Sequence, residues 1–404
     1  MRLFLFELKK FLTNKKNLIL FVVFSVLLLG GRLQQELQSN ETTNYKQIEV
    51  QIAQSNLKTF TEVLKNADRY KLSQEDKQKY QNDIILREKM LAALKNDEVN
   101  KYFDLVYEDD KARLKALEET TQPHLAYTDP EMTHSYWVDD REPIKQDMRY
   151  IETVKSRGLK FEYMPSAQVH AFGKLVQQGL TQIFYGLWLL GFAVILSVNL
   201  ASLFENKEDR VYRSLAIKKS NIICTKMLSS IAVTYIWICL LALAFLVIVG
   251  LINGFGSPNY PAYLMNIPSR ELAETGAAQL NIANMTISNG QVILTALLYT
   301  PVVLLFLSSL GMFFSVLTRK SMIVIAAIAV LLLGYQNVEG KLWIQSFRKF
   351  IPMSYTNPIE LLKNPDALFG KYSLIVGVFY LLSMSFVLIF ITNILFKKYR
   401  IRKI

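Results

Sequence analysis

Val292 to Leu317 reads VILTALLYTPVVLLFLSSLGMFFSVL, without one Asp, Glu, Lys or Arg. A helix rising 1.5 Å per residue needs about 20 apolar residues to cross about 30 Å of hydrocarbon. This stretch is long enough to span a bilayer. Five further apolar runs share its character: 17–33, 177–203 (strongly apolar from Leu180), 228–252, 322–338 and 373–396. Arg32 is the one charge in any of them. In lipid the backbone must satisfy its own polar groups, so such runs are helices. The sequence therefore predicts an all-α membrane protein with six transmembrane helices. The first and fifth are the shortest and rely on flanking Lys and Arg snorkelling to the interface.

The whole chain agrees with that reading. It has 404 residues, 51% of them hydrophobic, and a mean hydropathy of +0.20, which excludes an ordinary soluble protein. Its formal charge of +12 would suit a nucleic-acid binder if spread evenly, but it is not. Eighteen Lys and Arg fall before the first run, after the second, after the fourth and in the tail 397–404, against six in the two short loops opposite. Positive residues stay inside, so both termini are predicted to be cytoplasmic. One local conflict remains: the loop 339–372 carries five of the six opposing positives. With its charges sorted by side, the chain points to no nucleic-acid partner. Cys224 and Cys239 cannot build a disulfide framework.

Ahead of the first run, residues 1–16 hold Phe4, Leu8 and Phe11 at helical spacing, with Arg2, Lys9, Thr13 and Lys16 opposite. That pattern predicts a helix lying in the cytoplasmic interface rather than a cleavable signal. Between the first two runs lies a polar, mainly helical extracellular domain, 34–176. Val50, Ala53, Leu57, Phe60, Leu64 and Ala67 alternate steps of three and four, the seam of a helical hairpin. Lys71 to Ser73 is the break, and Ser73 with Asp76 reads as a capping box. Tyr80, Ile84, Leu91 and Leu94 continue the stripe, with Arg87 interrupting it, and a third helix is expected over 97–119. Residues 121–143, with Pro123, Pro130, Tyr127, Tyr136 and Trp137, read as loop or short strand. His124, Asp129, Glu131, His134, Asp139 and Asp140 crowd this stretch, but their spacing matches no metal motif, so no metal is expected. From Pro165 one long helix is expected to run through Gln178 and Gln182 into the second span.

No phosphate-cradling loop, zinc-protease motif or nucleophile elbow is present, so the chain is not expected to be an enzyme. The spans hold no carboxylate, which argues against proton coupling. The remaining signal is the cytoplasmic loop 204–227. There Phe204, Val211, Tyr212 and Leu215 fall near one helical face among charges, as a helix docking on a partner protein requires.

At these residues the chain resembles the membrane subunits of ATP-binding-cassette exporters, the type-2 permease class. Those proteins have an interfacial first helix, six spans, and a coupling helix that follows an acidic residue after the second span. The resemblance implies that Glu205 is that acidic residue, that Arg210, Val211, Tyr212 and Leu215 belong to the coupling helix, and that Lys218 and Lys219 form the basic turn after it. Arg210-Val211 replaces the small Gly-Thr pair common in the family. The segment 350–355, FIPMSY, is similar to the family's re-entrant segment before the last helix. The same resemblance implies a bacterial plasma-membrane location, a second permease copy or similar permease, and ABC ATPase subunits that bind the ATP and Mg; this chain itself would hold no cofactor. A peptide, antimicrobial or lipid would then be exported past polar residues such as Gln178, Gln182, Asn199, Tyr299, Thr300 and Asn337. The rival reading is a non-transporting receptor or immunity protein whose extracellular helical domain binds a peptide or envelope component.

Overall fold

The computed structural model describes residues 2–39, 45–119, 126–128, 135–137, 141–163, 170–184, 186–206, 219–262, 287–339, 341–363 and 368–401. The chain begins with α1 (Arg2–Thr13) and α2 (Lys15–Ser39), parted at Asn14. Asn17 donates its side-chain amide to the Phe11 carbonyl at 3.2 Å, satisfying one of the acceptors left open where α1 ends. Phe11 is buried against Ile195 and Val233, with Leu8 and Phe21 beside it. The opposite side of α1 is not purely polar: Leu5, Phe6 and Leu12 are exposed there, while Glu7 is buried.

Among the described residues, four helices make up the domain that follows: α3 (Tyr45–Lys65), α4 (Gln74–Lys95), α5 (Val99–Glu119) and α6 (Arg141–Ser156). The heptad seam of α3 faces inward, with Ala53 and Ala67 buried and Val50, Leu57, Phe60 and Leu64 half-buried. Phe60 packs on Tyr80 of α4 at 6.0 Å between ring centres. Lys71 turns the chain in the left-handed region, and the capping box forms as expected: the Asp76 amide donates to Ser73 Oγ at 3.0 Å, and the Ser73 amide donates back to the Asp76 carboxylate at 3.1 Å. Arg87, which breaks the apolar stripe, reaches across to Asp109 of α5 at 2.6 Å and lies over the Phe60 ring. The third helix starts at Val99 rather than 97 because Asp97 adopts φ 61° and closes the turn; its carboxylate accepts from Lys46 and Tyr163. Helix α6, not among the helices expected, packs Tyr150, Ile151 and Val154 into a core with Phe161, Phe103 and Tyr260. Short strands β1 (Ala126–Thr128) and β2 (Ser135–Trp137) pair antiparallel, Tyr127 opposite Tyr136. His124, Asp129, Glu131, His134, Asp139 and Asp140 lie outside the described residues.

The expected uninterrupted helix from Pro165 into the second span does not form. Residues 164–169 lie outside the described set. His170 is extended, and α7 (Ala171–Lys174) starts only after it, widens into a π turn at Leu175–Leu180 and continues as α8 (Thr181–Ile183); α9 spans Gly186–Glu205. The Thr181 hydroxyl donates to the Val176 carbonyl five residues back, completing the wider winding.

The bundle is completed by α10 (Lys219–Asn253), α11 (Asn289–Thr318), α12 (Ser321–Val338), α13 (Leu342–Gln345), α14 (Pro358–Lys363) and α15 (Ser373–Ile401). Among the described residues four stretches are long and apolar enough to cross a membrane: Ile222–Asn253, Asn289–Thr318, Ser321–Val338 and Ser373–Phe396. The apolar stretches Asn17–Leu27 of α2 and Leu189–Glu205 of α9 are shorter. Helix α11 is the hub: 56% of its apolar window is buried, against 33% or less in the other three, so the rest of the bundle is arranged around it. Close approach to α9 depends on Gly311, where any Cβ would sit 2.8 Å from Ser197 Oγ. Helix α2 attaches through Phe24, which lies where a side chain on Gly191 would be, and through Ser25, which accepts the Trp237 indole N–H at 3.0 Å.

Candidate coupling site and buried polar contacts

Helix α9 ends at Glu205, and the helix whose start lies beside it is α12. Lys320 stands at the N-cap of α12 and supplies no side-chain cap. The Glu205 carboxylate takes that place, accepting from the Ser321 amide at 2.6 Å and the Ser321 hydroxyl at 2.8 Å. A carboxylate is well matched to the open amides and positive end of a helix dipole. The acidic residue expected ahead of the coupling helix thus ties the end of α9 to the start of α12.

One turn further into the bundle, α9 and α10 are joined by polar contacts. Asn199 donates to Ser230 Oγ, and Lys226, only 1% exposed, donates to Ser202 Oγ at 3.2 Å. Lys219 is the first residue of α10, so the expected basic turn is already helical at that point. Arg210, Val211, Tyr212, Leu215 and Lys218 lie outside the described residues.

Of the six polar residues expected to line a path, five have described side chains, and their contacts differ. Asn199 bridges α9 and α10. Thr300 bonds back to the Ala296 carbonyl of its own helix, and Asn337 bonds back to Leu333 and is exposed. Gln178 is half-buried within the π turn, and the Gln182 side chain lies outside the described set. Tyr299 is the informative one: its hydroxyl donates to the Tyr355 carbonyl at 2.9 Å, anchoring the segment between α12 and α15.

That segment holds a polar cluster the sequence did not reveal. Arg348 and Glu339 pair at 2.6 Å with side chains 10% and 19% exposed. Tyr335 and Ser354 share a hydrogen bond of 2.8 Å, and Ser354 donates to the Arg348 carbonyl. A small cavity beside them is lined by Tyr335, Glu339, Ser354, Asn357 and Glu360. The four spans identified by length hold no carboxylate; Glu339 and Glu360 come from the connection between α12 and α15. Tyr335 lies one helical turn before Glu339 and donates to it, but Arg348 is nine residues from Glu339, and no local pattern pairs those two.

A second missed junction joins the helical domain to the bundle. His170 meets the Asn253 carbonyl through Nδ1 at 2.9 Å and Glu162 through Nε2 at 2.9 Å. Both partners are acceptors, an arrangement that favours the doubly protonated ring, and the Glu162 hydrogen bond pushes its pKa up. Tyr260 donates to the Lys160 carbonyl at 2.6 Å, and Arg157 to that of Asn259 at 2.6 Å. Among the described residues no group of three His, Cys, Asp or Glu is placed to hold a metal.

The family model for ABC-2 family transporter proteins matches residues 1–397. No curated protein and no solved structure matches the chain. Apolar helices of spanning length, a helix-rich chain and a match over nearly its full length converge on one assignment. The chain belongs to the ABC-2 transporter family, as a multi-pass membrane permease subunit that associates with an ABC ATPase.

Proposed function

We propose that this subunit works as an exporter in a bacterial plasma membrane, paired with a second copy or a similar permease and with two ATPase subunits. In this reading α2, α9, α10, α11, α12 and α15 are the six spans, with both termini in the cytoplasm. Helix α1 lies in the inner interface and the helical domain outside. The chain is not itself an enzyme and holds no cofactor; ATP and Mg are bound by the ATPases. Candidate substrates are a peptide, an antimicrobial or a lipid.

The observation that carries the reading is the Glu205–Ser321 contact. The loop expected to meet the ATPase begins at the residue that caps α12, and its far end enters α10, which Asn199 and Lys226 fasten to α9. Movement of residues 205–219 is therefore delivered to three helices together. Replacing Tyr212 and Leu215 with Asp tests this in vesicles containing the whole transporter. ATP hydrolysis should continue while transport is lost; unchanged transport removes the coupling assignment. Purification of the chain from cells expressing the neighbouring genes, with no ATPase bound, would remove the exporter reading itself.

A further inference from the structure

Residues 341–350 follow α12 as a short segment with two unlike sides. Inward, Ile344 and Arg348 are buried. Outward, Trp343, Phe347 and Phe350 follow at i, i+4 and i+7 and are 63%, 61% and 64% exposed. Lys341 and Lys349 are exposed toward either end, and the Lys349 ammonium lies 5.5 Å from the centre of the Phe350 ring.

The aromatic side is held outward by the surrounding structure. The carbonyls of Arg348, Lys349 and Phe350 accept from the hydroxyls of Ser354, Tyr355 and Tyr380 at 2.7, 2.8 and 2.6 Å. With Arg348 also fixed on Glu339, the segment cannot roll its rings inward. A Phe or Trp side chain can bury about 150–250 Å², so three exposed together approach the largest apolar patches that water-facing surfaces carry.

Its position says what covers it. Tyr355 is bonded to Tyr299, ten residues or about 15 Å from the start of α11. That start is held beside the helical domain by the Asn289 amide, which donates to the Tyr260 carbonyl. Tyr380 sets Phe350 beside the first turns of α15, where Ile375 and Phe379 are 57% and 67% exposed on an apolar helix of spanning length. The aromatic side thus continues the lipid-facing exterior of the bundle at the end nearer the helical domain. Aromatic rings favour the headgroup level, and neighbouring ammonium groups attract lipid phosphates.

We propose that Trp343, Phe347 and Phe350 sit in the headgroup layer of the leaflet on the helical-domain side, and that Lys341 and Lys349 hold the phosphate of an anionic lipid there. This accounts for two of the five positive residues in 339–372 that run against the positive-inside rule, and a third, Arg348, is neutralised by Glu339.

The test uses the full chain in lipid nanodiscs, with Trp343 as the sole tryptophan after Trp137→Phe, Trp188→Phe and Trp237→Phe. Lipids brominated near the headgroup should quench it more than lipids brominated at the chain end, and aqueous iodide should reach it poorly. Substituting Lys341→Ala and Lys349→Ala should lower the preference for phosphatidylglycerol over phosphatidylcholine by roughly fivefold or more. Should the triple replacement prevent folding, Trp343→Phe in the otherwise native chain gives the same readout, as loss of the component quenched near the headgroup. Efficient iodide quenching without bromine quenching overturns the proposal, as does quenching only at the chain end. Unchanged lipid preference in the double lysine variant overturns the phosphate site.

Discussion

Asp110 places a carboxylate where water scarcely reaches: the residue is 5% exposed, and its Oδ2 is buried without a hydrogen-bond partner. Burial, and the nearby Asp147 carboxylate, push its pKa up from 3.8 to about 7. The folded domain therefore keeps a proton that the unfolded chain has released, and stability falls as pH rises between those two values. The thermal midpoint of the purified protein's helical domain should decline across that window, and Asp110→Asn should flatten the decline. Arg87 is the opposite case, a buried charge with its counter-charge in place: Arg87 and Asp109 side chains are 15% and 10% exposed. Arg87→Ala leaves Asp109 unpaired and should cost about 3 kcal/mol, read as a lower unfolding midpoint in urea. In the sequence Arg87 looked like a flaw in the apolar stripe. Its meaning was not legible because its partner lies 22 residues away, beyond any helical repeat.

At the scale of elements, what repeats locally was legible and what depends on distant packing was not. The α3 seam and the Ser73 capping box form where their spacing put them, because each is decided by residues within one or two turns. Helix α6 has Ile144, Ile151 and Val154 at helical spacing, yet seven of its sixteen residues are charged, which dilutes the stripe. The extended backbone at His170, where α7 starts, has no side-chain cap to announce it. Glu205 stood out as acidic, but its capping of α12 required the fold, since Ser321 is 116 residues further on. Contact between α9 and α11 is equally non-local and rests on a missing side chain at Gly311. Gly311→Leu should separate the two helices and cost about 2–3 kcal/mol, measured as a lower melting temperature in detergent.

For the whole molecule, the decisive feature is that the helical domain is bonded to the bundle at the end of α10 and the start of α11, through His170 and Tyr260. Because Glu162 raises the His170 pKa, the stabilisation from that charged contact is complete below the ordinary histidine value of 6.5 and is lost as pH rises through the raised one. Exchange protection of the Ala171 and Phe172 amides, which donate to the Gly254 and Phe255 carbonyls, should weaken over that rise relative to intrinsic rates. Glu162→Gln should move the loss to lower pH. The π turn at Leu175–Leu180 stands directly below this junction. A π turn holds one residue more than the α turn it replaces. Elsewhere in a helix, removing a residue rotates everything beyond it by about 100°; here a one-residue deletion would simply restore α winding and leave both flanking faces in phase. The joint is thus a splice point, where the chain can be shortened without turning the face that α9 shows to α11.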